Sequence, residues 1–416
     1  MNNIITSFLL GLSMLRKTKL RSSLTVFGIT IGIGMVIVVF SAGEGVRGII
    51  TDQISSFGDN WIDIEIKVPE TKKNSQKNAS DLAHGVNITT LKKEDADAIK
   101  KLNNIQNAYA GITTQAVLAY QNEKIRPMIF GVTASYLAID KSALASGRFF
   151  TESEDMAASQ VVVIGSEVED VLFGNNNPIG KIVKIEGKPY EVIGSMEKLG
   201  NAGFFNRDKM VYLPLQTTQK KLMGVEHILF IIAQTRDNTK AENTAEEIRY
   251  LVRERHNIPA PEKDDFSVTT MKEATDIVDT ILTAITWLLI ALAAISLLVG
   301  GVGIMNVMYV SVAERTFEIG LRKATGATTT AILSQFLIEA VVLTVAGGIA
   351  GVLLGSAVAY GIAAIARYMH LAWSFTIPFF SIVLGVSFSM AVGILFGLYP
   401  AKKAAHLHPI DALRME

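Results

Sequence analysis

Residues 280–313 read TILTAITWLLIALAAISLLVGGVGIMNVMYVSVA, a stretch with no Asp, Glu, Lys or Arg. A helix needs about 20 apolar residues to cross the hydrocarbon of a bilayer, and this run is longer than that. Outward from it, Ser22–Gly43 and Leu371–Ala401 are also free of charge, and Thr328–Ile362 carries only Glu339. Four transmembrane helices are therefore predicted, at 22–43, 280–313, 328–362 and 371–401. The last three exceed the bilayer, so they are expected to tilt or to extend beyond it. The first is longer than the apolar core of a signal peptide, about 7–15 residues. Composition agrees: 49% of the 416 residues are hydrophobic and 19% are charged, against about 25% charged in soluble domains. Cysteine is absent, which excludes disulfides, thiolate catalysis and Cys-based zinc sites.

Lys and Arg in short loops set the orientation. Arg16, Lys17, Lys19 and Arg21 precede the first span. Arg315, Arg322 and Lys323 follow the second, and Lys402, Lys403 and Arg414 follow the fourth. Arg367 stands alone between spans three and four. Both termini and the 314–327 loop are thus expected in the cytoplasm, with 44–279 outside, in a multi-pass protein of the cell membrane. Residues 1–21 place Ile4, Ile5, Phe8, Leu12 and Leu15 at helical spacing, as in an amphipathic helix lying in the cytoplasmic interface. Residues 402–416 form the cytoplasmic tail.

The segment 44–279 is ordinary in composition and holds more acids than bases, so no nucleic-acid partner is expected. Its pattern is α+β. Trp61–Val68, Gly111–Tyr120, Ile125–Val132, Gln160–Gly165, Ile228–Gln234 and Phe266–Thr270 read as strands, and Lys92–Leu102 and Ala241–His256 as helices. Gly180–Glu186 and Tyr190–Gly194 alternate around Gly187-Lys188, a hairpin signal. Pro69–His84 is polar and rich in Lys, Asn and Ser, a loop composition. The expected fold class is a polytopic α-helical membrane protein of four spans with a large α+β domain inserted between helices 1 and 2. Within that domain, inner halves at about 60–146 and 219–272 are expected to flank an outer module at about 147–218.

Few residues carry chemistry. Gly174–Lys181 superficially resembles a phosphate loop, but five residues separate its glycines and Ile182 follows the lysine, where that loop needs four and a Ser or Thr. It reads as a turn. No predicted cytoplasmic segment is long enough for an ATPase. The chain is thus not expected to be an enzyme, and nucleotide-driven work falls to another chain. No two of the six histidines stand at the i, i+4 spacing of a helical metal site, and no nucleophile–base constellation is present, so no cofactor or metal is expected. Glu339 is the one acid inside a span, and charges at depth are costly. An ion pair with Arg315 or Arg322, ion handling, and a solvated interfacial acid are its three readings. Glycines at i, i+4, such as Gly28/Gly32, Gly347/Gly351 and Gly351/Gly355, permit close helix approach. No polar stripe marks any span as a channel wall.

The stretch GGVGIMNVMYVSVAERTFEIGLRKATGA at 300–327 resembles the signature of the MacB/FtsX-type ABC transporter permeases. YPAKKAAHLHPIDALR at 399–414, SGRFF at 146–150 and NPIGK at 177–181 resemble further motifs of that family, so the resemblance covers the chain in order. It implies a MacB-like permease of the split type, whose ABC ATPase is a separate subunit, and a homodimer stalk. It also implies a membrane-fusion or adaptor protein outside and contact with membrane lipid. The implied role is transmission of ATP-driven motion across the bilayer, for export of, or protection against, antimicrobial peptides, toxins or drugs. Regulation of cell-wall hydrolases and lipoprotein release are in-family alternatives.

The loop after span two is the expected contact with the ATPase, as a coupling helix. Glu314 with Glu318, and Glu318 with Arg322, stand four apart on one helical face. Phe317 and Leu321 form an apolar strip suited to a partner's groove, Arg315 and Lys323 supply charge, and Gly326 suits a helix C-terminus.

Overall fold

The computed structural model describes residues 19–56, 60–67, 88–140, 142–198, 206–369, 371 and 373–414. The interfacial reading of 1–21, up to residue 18, and the polar loop 69–84 lie outside them. Nine helices carry the account below: α1 (Lys19–Ser56), α2 (Lys93–Ile99), α3 (Ser166–Phe173), α4 (Ala241–His256), α5 (Met271–Glu314), α6 (Thr316–Ala324), α7 (Thr329–Tyr368), α8 (Phe379–Ala405) and α9 (Pro409–Arg414). The chain divides into a helical unit (Met1–Gly48, Asp279–Met369 and Trp373–Glu416) and a second unit built on Ile49–Val278.

In the helical unit, α1, α5, α7 and α8 are long and apolar enough to cross a membrane. At 1.5 Å per residue the 44-residue α5 is about 66 Å long, more than twice the hydrocarbon thickness of about 30 Å. The fourth helix begins at Phe379, later than the apolar run from Leu371. Pro378 stands just before it, and a proline lacks an N–H and biases the residue before it away from helix. Glycines bring the backbones together. A Cβ on Gly355 would meet the carbonyl oxygen of Gly34 at 2.6 Å, and one on Gly351 would meet that of Thr30 at 2.8 Å. The Thr30 hydroxyl donates to the Gly347 carbonyl at 3.2 Å. Around this crossing Ile29, Ile33, Leu297, Ile304, Phe336 and Ala340 form the buried core.

The second unit is a mixed sheet, twelve-stranded among the described residues. Its strands are β1 (Trp61–Ile66), β2 (Ile105–Gln115), β3 (Leu118–Tyr120), β4 (Glu123–Ile125), β5 (Met128–Val132), β6 (Leu144–Gly147), β7 (Val161–Ile164), β8 (Ile182–Ile185), β9 (Lys188–Met196), β10 (Met210–Pro214), β11 (Phe230–Thr235) and β12 (Phe266–Thr270). Their spatial order is β12-β1-β11-β2-β5-β10-β7-β9-β8-β3-β4, with β6 paired to β9. β1 alternates: Ile62 and Ile64 enter one core with Ile231, Ile248 and Phe266, while Trp61 joins another with Tyr109, Tyr136 and Tyr212. A third core collects Leu118 and Ile129 with Val162, Val183, Val192 and Leu213. The β8–β9 hairpin turns through Glu186 and Gly187, both at positive φ (46° and 79°), the backbone a two-residue I′ turn demands.

Candidate functional site

α5 ends at Glu314 because Arg315 leaves the helical region, at φ −107° and ψ 15°. The chain restarts at once as α6. Thr316 donates its hydroxyl back to Val312 and Ala313, which ties the start of α6 to the end of α5. At the far end Gly326 takes φ +101°, and the Ala327 amide donates to the Arg322 carbonyl at 2.9 Å. That left-handed residue closes the helix as a glycine C-cap does. Glu318 in the first turn and Arg322 and Lys323 in the last complement the helix dipole.

α6 has two faces. Ile319 and Gly320 are buried, and a Cβ on Gly320 would lie 2.7 Å from the Ala412 Cβ of α9. Phe317 and Leu321 point outward, 55% and 50% exposed. Lys323 donates its ammonium to the carbonyls of Ala405 and Leu407 at 2.7 and 2.8 Å. These lie at the end of α8, where helix carbonyls lack intrahelical partners. Glu314 is exposed.

Glu339 lies on the third turn of α7, fully buried. Arg315 Nη1 donates to its two carboxylate oxygens at 3.2 and 3.4 Å, and Gln335 Nε2 donates to Oε1 at 3.3 Å. Gln335 in turn accepts from Arg322 Nη1 at 2.7 Å, while Arg322 Nη2 donates to Glu318 at 2.5 Å. The structure thus brings Arg315, Glu318, Arg322 and Glu339 into one chain of polar contacts, and the residue that joins its halves is Gln335. Sequence reading passed over Gln335, although its i, i+4 spacing to Glu339 puts both on one face of α7.

On α5, Ile281, Ile285, Leu288, Leu292, Ile295 and Val299 recur at alternating spacings of four and three, and each is exposed. That is the a/d pattern of a coiled-coil seam.

In the sheet unit, His256 at the end of α4 lies between two carboxylates. Its Nδ1 is 2.9 Å from Asp265 and its Nε2 3.3 Å from Asp95. Arg255 Nε also reaches Asp95, at 2.6 Å. The Asp265 and Asp95 carboxylates push the imidazole up to about 9. Burial raises the Asp95 carboxyl, but His256 and Arg255 outweigh it and bring it below its ordinary value. The cluster ties α2 to α4 as charged, mutually satisfied partners.

Residues 22–251 match the MacB-like periplasmic core domain, and residues 290–409 match the FtsX-like permease C-terminal family. The chain belongs to the MacB/FtsX-type permease family. The MacB/FtsX relatives include an ABC transporter permease of Bacillus subtilis, YknZ, 33% identical over 414 residues, which cover 100% of both chains. Another is the macrolide export ATP-binding/permease protein MacB of Bdellovibrio bacteriovorus, 35% identical over 411 residues, 98% of this chain and 61% of that protein. The chain spans about three fifths of the length of the MacB relatives it matches. The periplasmic region of MacB from Actinobacillus actinomycetemcomitans superposes with a TM-score of 0.45 at 21% identity, covering 55% of this chain and 96% of that one. Membership in the MacB/FtsX family makes this a multi-pass membrane ABC transporter permease, with an α/β domain between its first helix and the rest.

Proposed function

We propose that this protein is the permease subunit of a MacB-like ABC transporter and passes the motion of a separate ATPase to its sheet domain. The observation that carries this reading is α6, a short helix whose Phe317 and Leu321 are exposed while its opposite face is packed. An anchored helix with an outward apolar pair is the form that enters a partner's groove. The charge bias of the loops puts α6 in the cytoplasm with both termini, where an ATPase subunit can reach it. A second copy of the chain pairs along the exposed seam of α5, and the length of that helix carries movement beyond the bilayer. Outside, the sheet domain works with an adaptor protein. A relative named for macrolide export supports export of drugs, toxins or antimicrobial peptides as the work done.

The test is docking. Phe317→Asp and Leu321→Asp are expected to lower co-purification of the ATPase by about tenfold or more, the scale of a lost interface anchor. Membrane insertion should persist, because both side chains already face outward. Variants that insert normally and keep the ATPase bound would remove α6 as the docking element.

A further inference from the structure

A buried charge is stabilising only when its partners are well placed, and a well-packed apolar residue often serves as well. Glu339 is fully buried in a helix otherwise free of charge until Arg367, so what it does there is decided by the partners that hold it. Arg315 stands just before α6 and Arg322 lies in its last turn. These two ends converge on Glu339 and Gln335, which sit one turn apart on α7. A helix held at one point can pivot about it. A helix held at both ends against one face of a second helix can neither roll nor slide along it. Lys323 and the Gly320–Ala412 contact close the remaining side.

We propose that Glu339 is the positioning residue of coupling: through Arg315 and Gln335 it locks α6 to α7 so that a push on α6 moves α7 as a rigid body. This rests on the reading of α6 as the ATPase contact. Without the lock the ATPase still binds Phe317 and Leu321, but its stroke is absorbed by rotation of α6.

The experiment uses the full chain in complex with its ATPase. A photocrosslinking amino acid at Leu288 reports how closely two copies of α5 approach, with and without ATP and vanadate. Glu339→Gln is expected to keep ATPase co-purification within about twofold, yet to shrink the nucleotide-dependent change in crosslinking at least about fivefold, the low end of ordinary coupling factors. Arg315→Lys, which keeps the charge, should retain most of the response. The natural chain has no cysteine, so Arg322→Cys with Gln335→Cys can be joined by a short bifunctional thiol reagent on the Glu339→Gln background. That tether replaces the lock and should restore the response. An unchanged nucleotide response in Glu339→Gln overturns the proposal. So does loss of ATPase binding that the tether fails to restore, since Glu339 would then serve folding alone. Phe317→Asp retaining the ATPase would instead sink the docking reading.

Discussion

His256 makes the stability of the sheet unit depend on pH in a definite direction. Its ordinary value of 6.5 rises to about 9 in the fold. A group with a raised folded value stabilises fully below the unfolded value and loses that contribution as pH rises through the folded one. The stabilisation is therefore complete at pH 6.5 and below, shrinks above it, and is gone beyond about 9. Raising a pKa by one is worth about 1.36 kcal/mol, so the ceiling for the whole rise is about 3.4 kcal/mol. Asp95 keeps Arg255 as a partner at 2.6 Å, and solvent screens part of the pair, so about 2 kcal/mol is the working figure. Residues 49–278 hold a single tryptophan, Trp61, whose fluorescence follows urea unfolding. The urea midpoint is expected to fall by roughly 0.7 M between pH 6.5 and 9.5 at a slope of about 3 kcal/mol per M. His256→Gln should be less stable at pH 6.5 and nearly flat over the same range. A flat wild-type profile, or an equal slope in the variant, would refute the reasoning.

Two further expectations concern the helical unit and its orientation. Gly355→Val sets a side chain against the Gly34 backbone, which cannot yield as a flexible side chain would. Overpacking of this kind costs about 2 kcal/mol or more, read as lower thermal stability in detergent, whereas Gly361→Val, whose Cβ would meet no atom of a neighbouring element within 4 Å, should be neutral. In intact cells a cysteine placed in 69–84 should react with an impermeant reagent and one at Thr325 should not; the reverse pattern would invert the proposed topology.

The spans were legible in the sequence because charge is excluded from lipid so strongly that its absence alone marks them. Their ends were less so. α5 starts at Met271 and carries Lys272, Glu273, Asp276 and Asp279 before the apolar run, since a helix does not stop where the membrane does. In the sheet unit, local signals located α4 at its observed bounds, while the hairpin expected around Gly187-Lys188 turns one residue earlier, through Glu186 and Gly187, with Lys188 already in β9. The order of the strands had no local signal. β5 lies between β2, an antiparallel neighbour, and β10, a parallel one from far along the chain. Leu118 and Ile129 share a core with Val162 and Leu213, a grouping that sequence distance conceals.

Glu339 shows where such reading stops and why. An acid alone in a span asks for a cation, and the nearby loop offers Arg315 and Arg322. Choosing between them requires the rotation of α6 against α7, which no residue pattern in either helix fixes by itself. Contacts on the side of α6 away from α7 bias that rotation before the lock holds it: Gly320 is small enough to let Ala412 approach, and Lys323 is drawn to the carbonyls ending α8. With α6 so turned, Arg315 meets the carboxylate directly and Arg322 falls short of it by one side chain. Gln335 fills that gap, accepting from Arg322 while donating to Glu339, which a neutral amide can do and a second carboxylate could not. Both arginines are thereby held, and the same turn that seats them leaves Phe317 and Leu321 facing outward. The lock and the docking face are two consequences of one orientation. Loosening the lock should therefore change what the docking face transmits before it changes what that face binds.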